Sequence, residues 1–307
     1  MPRFDKWLTG VTGDAPVDRV ARAALATRLD AVKHFLGQTA GRHPEAEDVH
    51  QLRIWTRRAA AALRLFTPAL PKSPKKWLKK TLRKLRRLAG AVRDCDVYLD
   101  RLDTAGARPP KSVLKGLRKE RRAAGKQLKA RRRHLQRKDR FDKQVETLLA
   151  GIAWPKRHSS REAPPFGFWC RYQIAPLGER LLALAGPDLT PDRRLHEFRL
   201  AAKRLRYALE LAGPAIPPRP QQRLYEELSV LQDRLGEVCD HLAAVERLRG
   251  WLEESRKAAD QRKLSDLLKD EEKSLTACRR RFLRWWSAAR RARLQQKWEA
   301  ALGAASP

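Results

Sequence analysis

One pattern occurs twice in this chain at a single ungapped spacing, and that repeat restricts the fold more than any other feature. V-H-Q-L-R-I-W-T-R-R-A-A-A-A-L-R-L-F begins at Val49, and L-H-E-F-R-L-A-A-K-R-L-R-Y-A-L-E-L-A begins at Leu195. An offset of 146 residues carries His50 to His196, Arg53 to Arg199, Arg58 to Arg204 and Leu63 to Leu209. The same offset holds through Pro68 and Pro214, Pro71 and Pro217, Leu85 and Leu231, and ends at Gly90-x-x-x-Asp94 against Gly236-x-x-x-Asp240. Chance similarity between Leu/Arg-rich helices would align scattered leucines, not prolines, glycines and aspartates in register. The pattern reads as an internal duplication, which implies two similar helical bundles related by a pseudo-twofold. Within one domain spanning residues 1–307, residues 17–150 form the first repeat, 151–165 the linker and 166–300 the second repeat.

The expected fold class is all-α, with two four-helix bundles built from long helices. Ala, Leu, Arg and Lys recur with helical spacing, and β-branched runs are scarce. Val17–Gly37 and Phe166–Ala185 are expected to supply the first helix of each bundle, and further long helices are expected near 111–150 and 255–300. Ser73-Pro74 and Thr190-Pro191 read as hydroxyl N-caps followed by proline at the first helical position, where the missing N–H costs nothing. Pro68, Pro71 and Gly213-Pro214 read as stops. No stretch reaches the ~18–20 apolar residues of a membrane span. The start lacks an apolar segment after its basic residue, so secretion is not expected. Cys95, Cys170, Cys239 and Cys278 lie far apart, which argues for reduced, mostly packed thiols in a cytoplasmic protein.

With 68 Lys+Arg against 35 Asp+Glu, the formal charge is +33. Repulsion on this scale is most easily relieved by a polyanion: nucleic acid, an anionic surface or a phosphate polymer. The charge is also patterned. His50, Arg53 and Arg57 share one helix face with Arg64 two turns beyond, and His196, Arg199, Lys203 and Arg206 repeat the stripe, with Arg204 beside it. Val49, Leu52, Leu63 and Phe66 occupy a neighbouring arc, as do Leu195, Phe198, Leu205 and Leu209. From Val49 to Arg93 there are 14 Lys+Arg and no acid. A helix pair that is merely solvated would intersperse acids for i,i+4 support. Lys76, Lys79, Arg83, Arg86 and Arg87 extend the cationic surface along the next helix. Such clustering suits a chain of phosphates.

The second copy differs, with 7 Lys+Arg and 7 Asp+Glu between Leu195 and Asp240. Glu210 stands where the first copy has Arg64, so binding is expected to be weighted to the first half. The imidazoles of His50 and His196 admit two roles, donors to phosphate or structural groups at a helix start. Arg93-Asp94-Cys95-Asp96 has the form of a metal-binding D-x-D. Its mate Cys239-Asp240-His241 keeps one aspartate, and structural ion pairs from Asp94 and Asp240 to the preceding basic helix are the better expectation. No metal or cofactor is expected. Lys111–Arg140 adds 14 basic residues with only Glu120 and Asp139 as acids. In the basic run Arg279–Lys297, Phe282, Trp285, Trp286 and Leu294 have core spacing, although the tryptophans could instead stack on bases.

V-H-x-L-R…R-R…L-R-L-F, L-x-x-L-R-R-L-x-G-x-x-R-D-x-D-V and L-H-x-F-R-x-x-x-K-R-L-R-Y-x-L-E-L together resemble the CHAD domain, the conserved histidine α-helical domain, over residues 17 to 300. The resemblance implies two pseudo-symmetric four-helix bundles around a basic groove or pore that binds inorganic polyphosphate. By motif match His50, Arg53, Arg57, Arg58, His196, Arg199, Lys203, Arg204 and Arg206 are its signature positions. Ala60 departs from it, aligning with Arg206, and leaves a gap that Arg64 or Arg83 would fill. Some members are fused to a triphosphate tunnel domain, whose E-x-E-x-K signature does not precede the motif here.

The resulting expectation is a non-catalytic, cytoplasmic polyphosphate-binding module, with association with polyphosphate granules as a further implication. Nucleic-acid binding by the same positive field is the second expectation. A phosphoanhydride-acting enzyme is the third, weakened because the basic face carries no metal-binding carboxylates.

Overall fold

The computed structural model describes residues 4–39, 45–104, 109–155, 162–186 and 188–303. The described residues are all-α, and the helices fall into two matching series. The first comprises α1 (Val17–Gln38), α2 (Ala46–Leu65), α3 (Lys72–Thr104), α4 (Lys111–Gln136) and α5 (Arg140–Ala150). The second comprises α6 (Phe166–Leu184), α7 (Asp192–Leu209), α8 (Pro218–Glu254), α9 (Ala258–Trp285) and α10 (Ala288–Gly303). The 146-residue offset reappears in the short 3-10 turns that follow α2 and α7, at Thr67–Ala69 and Gly213–Ala215.

In the first half, α1, α2, α3 and α5 close a four-helix bundle; in the second, α6, α7, α8 and α10 do the same. The long helices α3 and α8 run past their bundles and pair there with α4 and α9. Each half is therefore a bundle with a helical-hairpin arm. The regions expected to be helical near 111–150 and 255–300 are each split. Between α4 and α5 the backbone turns through Lys138 and Asp139, both left-handed at φ 54° and 53°. Between α9 and α10 it turns at Trp286 and Ser287, leaving α10 free to fold back onto α6 and α8.

Apolar burial holds each bundle. Val49, Leu52, Phe66, Leu195, Phe198, Leu205 and Leu209 are fully buried, as their arc requires. Trp286 is buried too, 5.2 Å from the Phe198 ring, and stacks on Phe282. Half-buried Trp285 lies between the guanidinium groups of Arg234 and Arg290, at 4.7 and 4.4 Å. These rings are thus packed against the bundle.

Two helix starts differ from the sequence reading. Helix α3 begins at Lys72, so Ser73 and Pro74 lie inside its first turn, and the Pro71 carbonyl accepts from Lys75 N at 3.3 Å. At α7 the cap is Pro191 itself, with extended ψ of 134°. Prolines also cap α1, α4, α6 and α8 (Pro16, Pro110, Pro165 and Pro217). Proline's fixed φ with an extended ψ suits a residue whose carbonyl starts the helix while its own backbone stays outside.

The two halves are locally two-fold where they begin. Val17 N donates to the Pro164 carbonyl at 3.2 Å, and Phe166 N donates to the Ala15 carbonyl at 2.9 Å. Gly167 packs against Gly13, where a Cβ on Gly167 would stand 3.1 Å from the Gly13 carbonyl oxygen, and a Cβ on Gly13 would stand 2.5 Å from that of Pro214. Helices α2 and α7 also meet across this junction. A second contact between halves lies on the arms, where Tyr98 and Trp251 are 6.2 Å apart and Arg247 covers both rings. There Arg101 also pairs with Glu271, and Arg247 with Glu120.

Candidate functional site: a cationic cluster where the halves meet

The basic stripes of α2 and α7 face one another where these helices meet, and α3 adds cations alongside. Lys203 on α7 is lowered to a pKa of about 7, first by burial and then by Arg199, Arg57 and Arg53, with Asp240 opposing. The charges that crowd it thus come from both halves. Arg53 is lowered by burial despite its ion pair with Asp94 at 3.1 Å. Burial lowers Arg86 on α3 as well, with Arg57, Arg83 and Arg53 contributing. Asp94 therefore has the structural role expected from its sequence context, and Asp96 of the same motif pairs with Arg121. Every one of these shifts has the sign produced by like charges gathered in partly desolvated space.

His50 is half-buried at the head of the first stripe. Burial lowers its pKa, Glu47 opposes, and Arg93, Arg53 and Arg57 lower it further. At neutral pH it is an uncharged imidazole able to donate one hydrogen bond. His196 is exposed, as are Lys76, Lys79, Arg83 and Arg87. Arg199 is half-buried and has a buried Nε without a hydrogen-bond partner.

Arg58 and Arg206 lie elsewhere. Expected on the polyanion surface, both are instead engaged in an internal network centred on Glu210, which is fully buried. Arg58 donates to Glu210 through Nε at 2.8 Å and stacks over Trp55. The Tyr225 hydroxyl donates to the same carboxylate at 3.0 Å, and Arg206 donates to that hydroxyl and to Gln232, both at 2.8 Å. Burial and Glu210 push the Tyr225 phenol up to about 12, so it remains a donor. Arg28, only 1% exposed, donates to the Glu210 carbonyl at 3.4 Å, and burial lowers its pKa to about 10. The reason for the displacement is the carboxylate: a buried anion draws in the nearest guanidinium groups.

The segment before α1 joins the same network. Leu8 N donates to the Glu210 carbonyl at 3.0 Å, and the Lys6 carbonyl accepts from Arg28 at 3.1 Å. Trp7 packs 4.7 Å from the Tyr225 ring. This strap has no helical periodicity, so pattern reading passed over it; its one signal is the pair of aromatic residues Phe4 and Trp7 in a basic chain.

The network acquires meaning when moved by the 146-residue offset. Arg58 becomes Arg204, and Glu210 becomes Arg64. The position equivalent to the Arg58–Glu210 ion pair is thus held by Arg64 and Arg204, two cations. Tyr225 and Gln232, around Glu210, become Lys79 and Arg86. Arg64 and Arg204 stay open to solvent, but protein crowding lowers the pKa of Arg64, and Arg204 and then Arg86 lower it further. One side of the junction carries its own anion. The other brings the guanidinium groups of Arg64, Arg204 and Arg86 close enough to depress the pKa of Arg64.

Comparison with known proteins places these features in context. The family model described as CHAD domain matches residues 23–249. Two uncharacterized proteins from Mycobacterium tuberculosis, of strains CDC 1551 / Oshkosh and ATCC 25618 / H37Rv, are each 26% identical over 247 residues. That match takes in 76% of this chain but 45% of theirs, so the chain spans about half the length of these relatives. A crystal structure of the CHAD domain from the plant Ricinus communis superposes with a TM-score of 0.63 at 21% identity, covering 99% of this chain and 97% of that one. PptA from Streptomyces chartreusis gives a TM-score of 0.58 at 18% identity, covering 93% and 100%. At these identities the two structures establish a shared fold.

Proposed function

The chain belongs to the CHAD domain family, and on that footing we propose that it binds inorganic polyphosphate at the cationic cluster where its halves meet, without catalysis of its own. The single observation that carries the reading is the Arg64–Arg204 pair, two cations at the place where the twin site holds a carboxylate. A phosphoryl group between them would do what Glu210 does for Arg58. The next phosphoryl groups of a linear polymer would meet Arg57, Arg53, Arg86 and Lys203, which crowd one another without an equal number of acids. Polyphosphate fits better than nucleic acid because the rings that arginines of α2 and α7 cover, Trp55, Tyr207 and Tyr225, are buried and offer no stacking platform for bases.

A competition titration at physiological salt tests the assignment. Long-chain polyphosphate should displace labelled single- and double-stranded nucleic acid, and failure to do so sinks the reading. The decisive variant is Arg64→Glu, which writes the Glu210 arrangement onto the second side. It should raise the melting temperature and weaken polyphosphate binding by at least about tenfold, the scale of one lost charge-assisted contact. Unchanged affinity in a folded Arg64→Glu protein would remove Arg64 and Arg204 from the site.

A further inference from the structure

A second chemistry lies outside the cationic cluster, on the arm formed by α8 and α9. Glu237 and His241 are one turn apart on α8, and Cys278 of α9 faces them; one ligand atom from each lies within 4.8 Å of the others. We propose that Glu237, His241 and Cys278 form a zinc-class metal site that pins α8 to α9. In sequence the site is hidden, because Cys278 stands 37 residues beyond His241 and no short motif joins them.

The donor set selects the ion. A thiolate sulfur, an imidazole nitrogen and a single carboxylate oxygen suit Zn²⁺ or Co²⁺ in four-coordinate geometry, whereas Mg²⁺ and Ca²⁺ require oxygen shells. Glu271, two turns before Cys278 on α9, lies 2.6 Å from His241 Nδ1. A carboxylate on one imidazole nitrogen is the usual way a metal-binding histidine is oriented and made more basic. Cys278 is buried, which keeps its sulfur from solvent oxidants, and Glu237 hydrogen-bonds with it. The local charge is compatible with a cation. Glu237 and Glu271 are balanced by Arg281, 2.7 Å from Glu237, and Arg101, which contacts both His241 and Glu271. A divalent ion that expels the Cys278 proton adds one net charge. Because zinc-class ions bind the thiolate, binding should release the Cys278 proton near neutrality.

Arg101 gives the site a reach beyond its own hairpin. It comes from α3, in the other half, and contacts the histidine and its orienting carboxylate together. A metal that fixes His241 and Glu271 therefore fixes the surface on which the opposite arm rests. The inference stands apart from the polyphosphate reading and uses none of its residues.

The test uses the full chain, reduced and free of phosphate, titrated with Co²⁺. One equivalent should bring up a thiolate-to-cobalt charge-transfer band and intense visible bands of tetrahedral coordination, both bleached by one equivalent of Zn²⁺. The charge-transfer band should vanish in Cys278→Ser and persist in Cys239→Ser. Glu271→Gln, which leaves all three ligands, should weaken Zn²⁺ by about 10–100-fold. Circular dichroism verifies that each variant is folded. A folded wild-type chain that develops no charge-transfer band overturns the site, as does a band that survives Cys278→Ser. Because no polyanion is present, either result leaves the polyphosphate assignment where it was.

Discussion

At the scale of single residues, the position that separates the two sides of the molecule is Glu210. Its carboxylate is fully buried and serves Arg58, Tyr225 and, at 4.0 Å, Arg206. Glu210→Gln should destabilise the protein by about 3–5 kcal/mol, because guanidinium groups are left in partly buried space without their anion. Thermal or urea unfolding measures this, and a loss below about 1 kcal/mol would show that the network contributes little. Lys203 carries a different prediction. Free, it titrates near pH 7, and a bound phosphate would raise its pKa, so binding takes up a proton. Below about pH 7 the amine is already charged and contributes no slope. Above it, the affinity for long-chain polyphosphate should fall as pH rises, by up to about tenfold per unit. Lys203→Arg should flatten this dependence while retaining binding. For the unliganded fold the sign is reversed: Lys203 has a depressed pKa, so its contribution to stability grows as pH rises from about 7 towards the ordinary lysine value. The identity of these side chains was legible in sequence, but their grouping was not. Arg57 and Arg58 are neighbours in one basic stripe, yet only Arg58 turns to the buried carboxylate, and the choice depends on a partner 152 residues away.

Helix positions were largely legible, because 3.6-residue periodicity and proline mark them strongly. Val17, where α1 was expected, is where it begins, and Phe166 likewise begins α6. The differences lie where local signals compete. Ser73 has the chemistry of a cap, but Pro71 stands two residues earlier, and its rigid extended backbone starts the helix first. The break at Lys138–Asp139 has no glycine or proline to announce it; neither residue type favours a left-handed backbone as glycine does, so packing of α5 back onto α1 and α3 imposes the turn. In the other half, α10 reaches α6 because position 178 is glycine: a Cβ there would enter the Trp298 ring. Gly178→Ala should therefore cost about 1–3 kcal/mol, the range for overpacking a filled core. Hydrogen exchange should show the loss concentrated in α10; uniform loosening across the bundle would contradict the packing explanation.

For the whole molecule, two contacts between halves matter. One joins α2 to α7 near the chain's two helical beginnings, and the other joins the arms through Tyr98, Trp251 and Arg247. Of the elements that carry the cationic cluster, α2 and α7 meet at the first contact, and α3 runs on to the second, where Tyr98 lies. On the polyphosphate reading, the arm contact acts as a second closure. Arg247→Ala with Trp251→Ala should speed dissociation of long polyphosphate several-fold with little change in bundle melting, as stopped-flow release would measure. An unchanged dissociation rate would limit the arms to a structural role.

The exchange of a carboxylate at Glu210 for a guanidinium at Arg64 has a consequence for how such a molecule can arise. In a homodimer of one half, every residue would occur at both equivalent places, so the Arg58–Glu210 ion pair and the like-charged Arg64–Arg204 pair could not coexist. Joining the halves in one chain lifts that constraint. One copy can then keep a buried ion pair for cohesion while its twin keeps two like charges at the equivalent place.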